Sequence, residues 1–197
     1  MPADMVRWEE LASVFGTRGP ASRCWCQRYR LEPLESFGGL PAQERAARLR
    51  EQTGADDPGS GTSGLVAYLG TDPVGWCAVA PRPAYAGLVR NARVPWADRD
   101  EDRSDDSVWA VTCLLTRAGF RRRGVSRALA RAAVEHAREQ GARALEAYPM
   151  TTTAAIAEEL HVGTVATFAA AGLVEVTRPT PRRVVMRVDF DPDRPRG

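Results

Sequence analysis

Lysine is absent from this chain of 197 residues; all 27 basic side chains are arginine. That absence excludes an enzyme working through a Schiff base on its own lysine, and a Walker-type phosphate loop, whose Gly-Lys-Ser/Thr ending needs the ammonium group. A GC-rich coding bias is its simplest source. Histidine is scarce, with two, and the four cysteines fall at Cys24, Cys26, Cys77 and Cys113. A tetrahedral metal site is poorly supplied by one Cys-x-Cys pair with no second pair nearby, so no metal is expected. No stretch approaches the roughly 20 apolar residues that cross a bilayer. The opening "MPADMVRWEELASVFG" interleaves charge with apolar residues, unlike a secretory signal. The expectation is a cytoplasmic protein with no membrane partner and with its cysteines as thiols. A large charge excess is also lacking: 27 basic against 25 acidic residues leave a formal net charge of +2. The chain is no polycation built for nucleic acid, and any basic site must be local.

What is present reads as one α/β (α+β) domain with a mixed central sheet. Residues 1–62 form an N-terminal helical segment and loop belonging to that domain. "VRWEELASVFG" carries Val6, Leu11, Val14 and Phe15 near helical spacing and ends at Gly16, while "LPAQERAARLREQTG" starts with proline and ends at Gly54. "GADDPGSGTSG" is expected to be a mobile surface loop. Then "LVAYLG", "DPVGWCAVAP" and "SVWAVTCLLT" read as strands, the first two a hairpin around Thr71, Asp72 and Pro73. The charged run "NARVPWADRDEDRSDD" is expected to be a loop, either solvated surface or a flap over a site. A strand ending near Thr116, a turn, a helix over about 124–140 and the strand "ARALEAYP" make a β-turn-α-β unit. A helix around "GTVATFAAAG" and the strands "LVEV" and "RVVMRVDF" follow, with 191–197 a flexible tail.

The turn "RRRGVS" is the most informative segment. Gly124 permits a backbone conformation that a side chain would hinder, and a helix begins at once. The first amides of a helix lack intrahelical acceptors, and the aligned peptide dipoles add partial positive charge there, so such an end attracts anions. Arg121, Arg122 and Arg123 add formal charge and Ser126 a hydroxyl, which suits a pyrophosphate. The alternative is an arginine-decorated loop without a ligand.

Arg121 to Ser126 resembles the Gln/Arg-x-x-Gly-x-Gly/Ala signature of the GNAT superfamily of N-acetyltransferases, with Ser126 where that family prefers Gly or Ala. The resemblance extends over about residues 63–190 through the order strand, signature, long helix, strand, helix and strand. The upstream "CWC" and the "EAYP" strand are similar to an actinobacterial-type group within it. The resemblance implies acetyl-CoA as cosubstrate, with its pyrophosphate held by Arg121, Arg122, Arg123, Gly124, Val125, Ser126 and Arg127. It implies a bulged strand offering the backbone of Leu114, Leu115 and Thr116 to the pantetheine arm. It also implies that "SVWAVTCLLT" and "ARALEAYP", the family's fourth and fifth strands, run parallel and splay apart around a cleft. The partner would be a small-molecule or peptide amine, and a homodimer is open because C-terminal strands of this superfamily often pack on a second subunit.

Attack by an amine requires a base, directly or through water, and the leaving thiolate is stable enough to depart with little help. Where many superfamily members place an acidic tyrosine, this chain has Phe168. The remaining candidates are Glu146 and Tyr148 on the splayed strand, His161 ahead of the last helix, where the superfamily often has a coenzyme-contacting asparagine, and Asp105 or Asp106 at a strand mouth. Acidic residues from Asp98 to Asp106 would draw a cationic acceptor weakly, being interleaved with Arg99 and Arg103. Cys24 to Cys26, with Trp25 and Tyr29, reads as an aromatic-thiol plug near the substrate end, Cys77 and Cys113 as core, and His136 as a surface or edge residue. Two other readings stand beside the enzyme: a coenzyme A-binding sensor that has lost catalysis, and a nucleic-acid-binding module using the arginine turn.

Overall fold

The computed structural model describes residues 1–57, 59, 61–90, 94–152, 154 and 159–190. Six strands, β1 (Gly64–Leu69), β2 (Asp72–Pro81), β3 (Val108–Thr116), β4 (Ala144–Ala147), β5 (Val174–Thr180) and β6 (Arg183–Asp189), form one sheet in the order β1-β2-β3-β4-β6-β5. Every neighbouring pair is antiparallel except β3 and β4. The helices are α1 (Trp8–Phe15), α2 (Ala21–Cys24), α3 (Ala42–Gln52), α4 (Ala86–Arg90), α5 (Val125–Glu139) and α6 (Val165–Ala169).

The parallel pair is short. It runs from Val108 opposite Ala144 to Val111 opposite Ala147, whereas β3 continues to Thr116. Past Ala147 the other chain turns away, and Met150 donates its amide to the Gly163 carbonyl. The far half of β3 therefore keeps β2 on one side and, among the described residues, has no paired strand on the other, where the turn at Leu160–Val162 lies against it. Against β2, Ala78 pairs with Cys113 and Val79 with Val111, so Thr112 is an extra residue on β3. The insertion has a visible consequence. Val111 and Leu114, three positions apart, both enter the core under α5, which the two-residue period of an unbroken strand forbids.

One face of the sheet is covered by α5 and α6. The buried residues of α5, Leu129, Ala130, Ala133, Val134, His136 and Ala137, form one stripe at helical spacing, and full burial of a side chain such as Leu129 is worth about 1.5–3 kcal/mol. Gly75 of β2 sets how closely that helix lies. A Cβ there would stand 2.6 Å from Val125 Cγ1 and 3.0 Å from Leu129 Cδ1. On the opposite face Leu11, Val14 and Phe15 of α1 and Leu49 of α3 pack with Cys26 on Trp76, Ala78 and Cys113. Beside them Tyr85, Leu88 and Tyr148 form a third cluster with Ala80, Ala110 and Val185.

Three expectations shift. The hairpin turn is Gly70-Thr71, with Leu69 opposite Asp72 and Pro73 already in β2; Gly70, at φ +62°, supplies the left-handed residue a two-residue turn needs. His136 is buried, its ring edge-on to Trp109, because it falls on the inner stripe of α5, and burial lowers its pKa. The charged run after residue 93 is a loop with Asp98, Asp100, Asp102 and Asp106 exposed, but it is pinned at one point. Trp96 is buried, its indole donates to the Leu88 carbonyl, and Arg82, Arg99 and Arg103 lie 4.8, 5.8 and 4.9 Å from its ring. Residues 58 and 60 of the Gly/Ser loop, 91–93 of the charged run and the tail 191–197 lie outside the described residues.

Candidate active site

The turn between β3 and α5 has the geometry of an anion cradle. Gly124 caps α5 at φ +79°, Arg122 is also left-handed at φ +62°, and no side chain caps the helix. The first helical bond runs from the Ala128 amide to the Gly124 carbonyl at 3.0 Å. Among the described residues the amides of Val125, Ser126 and Arg127 find no backbone acceptor. Arg121, Arg122, Arg123 and Arg127 are exposed, with no ion-pair partner among the described residues. Phe120 shapes the turn, with the guanidiniums of Arg117 and Arg123 at 5.8 and 5.4 Å from its ring. The Ser126 hydroxyl is shared: it lies 3.2 Å from Thr116 Oγ1 and ties the helix start to the end of β3. Leu114, Leu115 and Thr116 lie on the stretch of β3 that has parted from β4.

On the sheet face opposite α5, a cavity of about 630 Å³ opens against this same stretch. Cys113, Leu115 and Thr116 belong to its wall, as do Phe15, Phe37 and His161. Cys26 closes it beside Cys113, their sulfurs 2.6 Å apart with the Cys26 thiol donating. Burial pushes the Cys26 thiol well up and that of Cys24 to about 11, so neither is a ready base. Trp25 and Cys26 are both left-handed, at φ 48° and 54°, a costly pair of conformations for residues with side chains. The double kink sends Trp25 between Trp8 and Phe15, at ring distances of 5.7 and 4.7 Å, while Cys26 turns inward. Tyr29 accepts from Arg183 and lies 6.3 Å from the His161 ring. Phe168 is fully buried in the α5-side core against Gly163 and Leu114.

Glu146 and Tyr148 do not line this cavity. Glu146 is fully buried and meets Arg187 Nη1 at 2.9 Å and Arg82 Nη1 at 3.5 Å, with Arg99 closest of all. Tyr148 donates its hydroxyl to the same carboxylate at 3.0 Å; burial, then the charge of Glu146, push its pKa far up. Glu101 adds contacts to Arg82, Arg99 and Arg187 at 3.4, 3.0 and 3.2 Å, and Asp189 holds Arg187 at 2.8 Å. A carboxylate gripped by three guanidiniums is a poor base, and a phenol donating to it is a poor acid. Asp105 instead binds Arg143 and Ser107, and hydrogen bonds from Ser107 and then Arg143 hold it down at about 2. His161 is the sequence-predicted catalytic candidate that the cavity wall includes. Among the described residues no group of three His, Cys, Asp or Glu is placed to hold a metal.

Sequence reasoning missed the convergence of Arg18, Arg23, Arg28, Arg45 and Arg121 on the cavity wall. No local pattern signals it, since the five are scattered between positions 18 and 121.

Residues 25–161 match the profile described as the acetyltransferase (GNAT) family, well over half of the chain, which therefore belongs to that family. Solved structures share the fold at low identity. A ribosomal-protein-alanine N-acetyltransferase from Brucella melitensis is 16% identical, with TM-score 0.50 and 96% of each chain covered. YncA from Salmonella typhimurium, solved with its cofactor acetyl-CoA, is 11% identical, with TM-score 0.54 and coverage of 95% of this chain and 92% of that one. An N-acetyltransferase from Staphylococcus aureus is 11% identical, with TM-score 0.52 over 93% of this chain and 94% of that one. A search among curated proteins finds no match.

Proposed function

We propose that this protein is an N-acyltransferase that takes an acetyl group from acetyl-CoA and delivers it to an amine by direct attack in a ternary complex. The observation that carries the reading is the juxtaposition of a helix start whose first amides have no backbone acceptor among the described residues and a stretch of β3 that has parted from β4. The amides of Val125 to Arg127, flanked by Arg121 to Arg123, fit a pyrophosphate. The parted edge at Leu114 to Thr116 fits the amide-bearing pantetheine arm, which would complete the interrupted sheet ladder. The cosubstrate supplies an acyl group already activated as a thioester; the protein supplies position and electrostatics. The acceptor amine would enter from the cavity on the other face. Among the described side chains lining that cavity, His161 is the one imidazole, and it is assigned the base that takes the amine proton. Glu146 and Tyr148 are assigned positioning roles. Phe168 leaves the departing thiolate without a tyrosine acid, which a stable thiolate tolerates.

The same reading includes a cytoplasmic protein with no nucleic-acid or membrane partner, built as one domain with residues 1–62 integral to it. It also includes kinship with the group carrying the upstream Cys24-Trp25-Cys26 segment, and a homodimer through the C-terminal strands, where Val174 and Val176 are exposed on the edge strand β5. Calorimetric titration of acetyl-CoA tests the cosubstrate site. Gly124→Asp, which puts a side chain at φ +79° and a negative charge at the helix start, is expected to lose at least about tenfold in affinity, and Arg123→Glu a similar amount. Unchanged affinity in both would remove the cosubstrate from this turn. His161→Ala should lower kcat by about 10²-fold with little change in acetyl-CoA affinity; undiminished turnover would move the base elsewhere. A coenzyme-binding sensor is favoured by the missing tyrosine at Phe168, and the absence of turnover across a broad amine panel, with coenzyme binding intact, would establish it.

A further inference from the structure

The cavity described above has a one-sided charge. Arg18, Arg23, Arg28, Arg45 and Arg121 all contribute to its wall, and among the described residues no aspartate or glutamate does. None of the five has an ion-pair partner among the described residues. Arg48, one turn of α3 beyond Arg45, is by contrast held by Glu35 at 2.7 Å and Glu44 at 3.2 Å. Acidic side chains are thus at hand, yet they pair with a different arginine.

Arg45 is the informative member. It is 7% exposed, so its guanidinium has given up most of its water. Its Nη1 donates to the Phe37 carbonyl at 2.6 Å, and the guanidinium stacks 4.2 Å from the Phe37 ring. Those two contacts fix its orientation. Its Nε is buried and has no acceptor. The edge left over is the Nε/Nη2 fork, which matches the two oxygens of a planar carboxylate in a bidentate pair. Arg28 stacks on the same Phe37 ring at 4.6 Å, so two positive charges gather around one aromatic ring with no ion-pair partner among the described residues. Gathering like charges and leaving a buried donor empty both cost free energy, and both costs vanish when an anion binds. Val14, Phe15, Phe37 and Leu115 give the wall an apolar stretch.

We propose that this cavity is the acceptor site and that the acceptor is an aminocarboxylate with an apolar body, its carboxylate received by the free fork of Arg45 with Arg28 beside it. The inference rests on the acyltransferase reading and narrows it. It also reverses the weak preference for a cationic acceptor that the acidic run from Asp98 to Asp106 suggested. Glu101 of that run is occupied by Arg82, Arg99 and Arg187, and Asp105 by Arg143. In the step itself, the neutral amine nitrogen forms the new bond to the acyl carbon and its proton passes to His161. The carbon–sulfur bond breaks with its electron pair leaving on sulfur.

The test compares kcat/KM for apolar amino acids, each set beside its own amide and its decarboxylated amine, with aminoalkyl phosphates as a further arm. The best amino acid is expected to exceed its amide by about 10²-fold or more, since a site built to hydrogen-bond a group rejects the analogue lacking it. Arg45→Lys keeps the charge and loses the fork; it should shrink that ratio at least about tenfold while KM for acetyl-CoA stays within about twofold. Arg28→Gln should do the same more weakly and guards against a folding defect at the buried site. Amides that match their amino acids, a ratio unmoved by Arg45→Lys, phosphates that outpace every carboxylate, or variants that raise KM for acetyl-CoA instead would each overturn the proposal. A second readout needs no turnover: the same amino acids and their N-acetyl forms titrated calorimetrically into protein saturated with coenzyme A. Binding that Arg45→Lys weakens, with no amine turned over, would keep the anion site and sink acyl transfer; no binding at all would sink the site.

Discussion

Two arginine clusters lie on the same side of this sheet, and they differ in what surrounds them. Arg82, Arg99 and Arg187 converge on Glu146, with Glu101 and Asp189 supplying the remaining negative charge. The cluster is neutral by formal count and largely closed to water. It fastens the segment around Trp96 and the turn at Arg82 to β4 and β6. Arg28 and Arg45, with the other arginines of the cavity, have no acidic partner among the described residues. Desolvated charge is tolerated when the protein itself neutralises it, and a site that leaves it unneutralised is incomplete. The first cluster is thus finished by folding, whereas the second awaits a ligand.

Mutating the key member of each cluster tests the difference. Glu146→Gln leaves three guanidiniums facing one another in a buried space and should cost about 3–5 kcal/mol of stability, read as a lowered denaturation midpoint. A loss below about 1 kcal/mol would mean that water reaches the cluster and that the contrast is false.

Acid separates the clusters next. Burial works to raise Glu101, but the hydrogen bond and charge of Arg99 outweigh it and leave it lowered; Asp105 is held at about 2. Such carboxylates contribute stability that is fully present above their unfolded values near pH 4 and is lost as pH falls toward about 2. Denaturation midpoints should therefore decline between about pH 4 and 2, and Asp105→Asn should flatten that decline. Among the described residues the cavity wall holds no carboxylate to be protonated, so its charge should persist while the contacts of Glu101 in the first cluster loosen. The smallest effect is expected from Arg28→Gln. Removing one of two like charges on Phe37 should leave stability within about 0.5 kcal/mol of the native protein, read from the same denaturation curves.

Much of the turn between β3 and α5 was legible in sequence because its causes are local. A strand end, a glycine in the left-handed region and a helix start are set by a few adjacent residues, and Gly124 is where that reading places it. The neighbouring strands were legible by their apolar runs and turn residues. What was hidden depends on contacts between distant segments. Glu146 reads as a strand-end carboxylate until Arg82, Arg99 and Arg187 are brought to it from three other elements. His136 reads as surface because its neighbours Glu135 and Arg138 are charged, yet the phase of α5 turns it inward onto Trp109. The bulge at Thr112 has no composition of its own. Cys24-Trp25-Cys26 reads as a plug, but only the two left-handed residues show how its aromatic ring and its second thiol are sent to different places.

Gly75 and Gly38 suggest how this protein can drift over generations. At Gly75 even one methyl group would press on Val125 and Leu129, so a mutation there must re-seat the start of α5 and with it the turn proposed for the coenzyme. At Gly38, on the wall of the arginine cavity, an added Cβ would meet nothing within 4 Å. Selection can therefore reshape the proposed acceptor cavity, one side chain at a time, while the proposed seat of the donor stays locked in place.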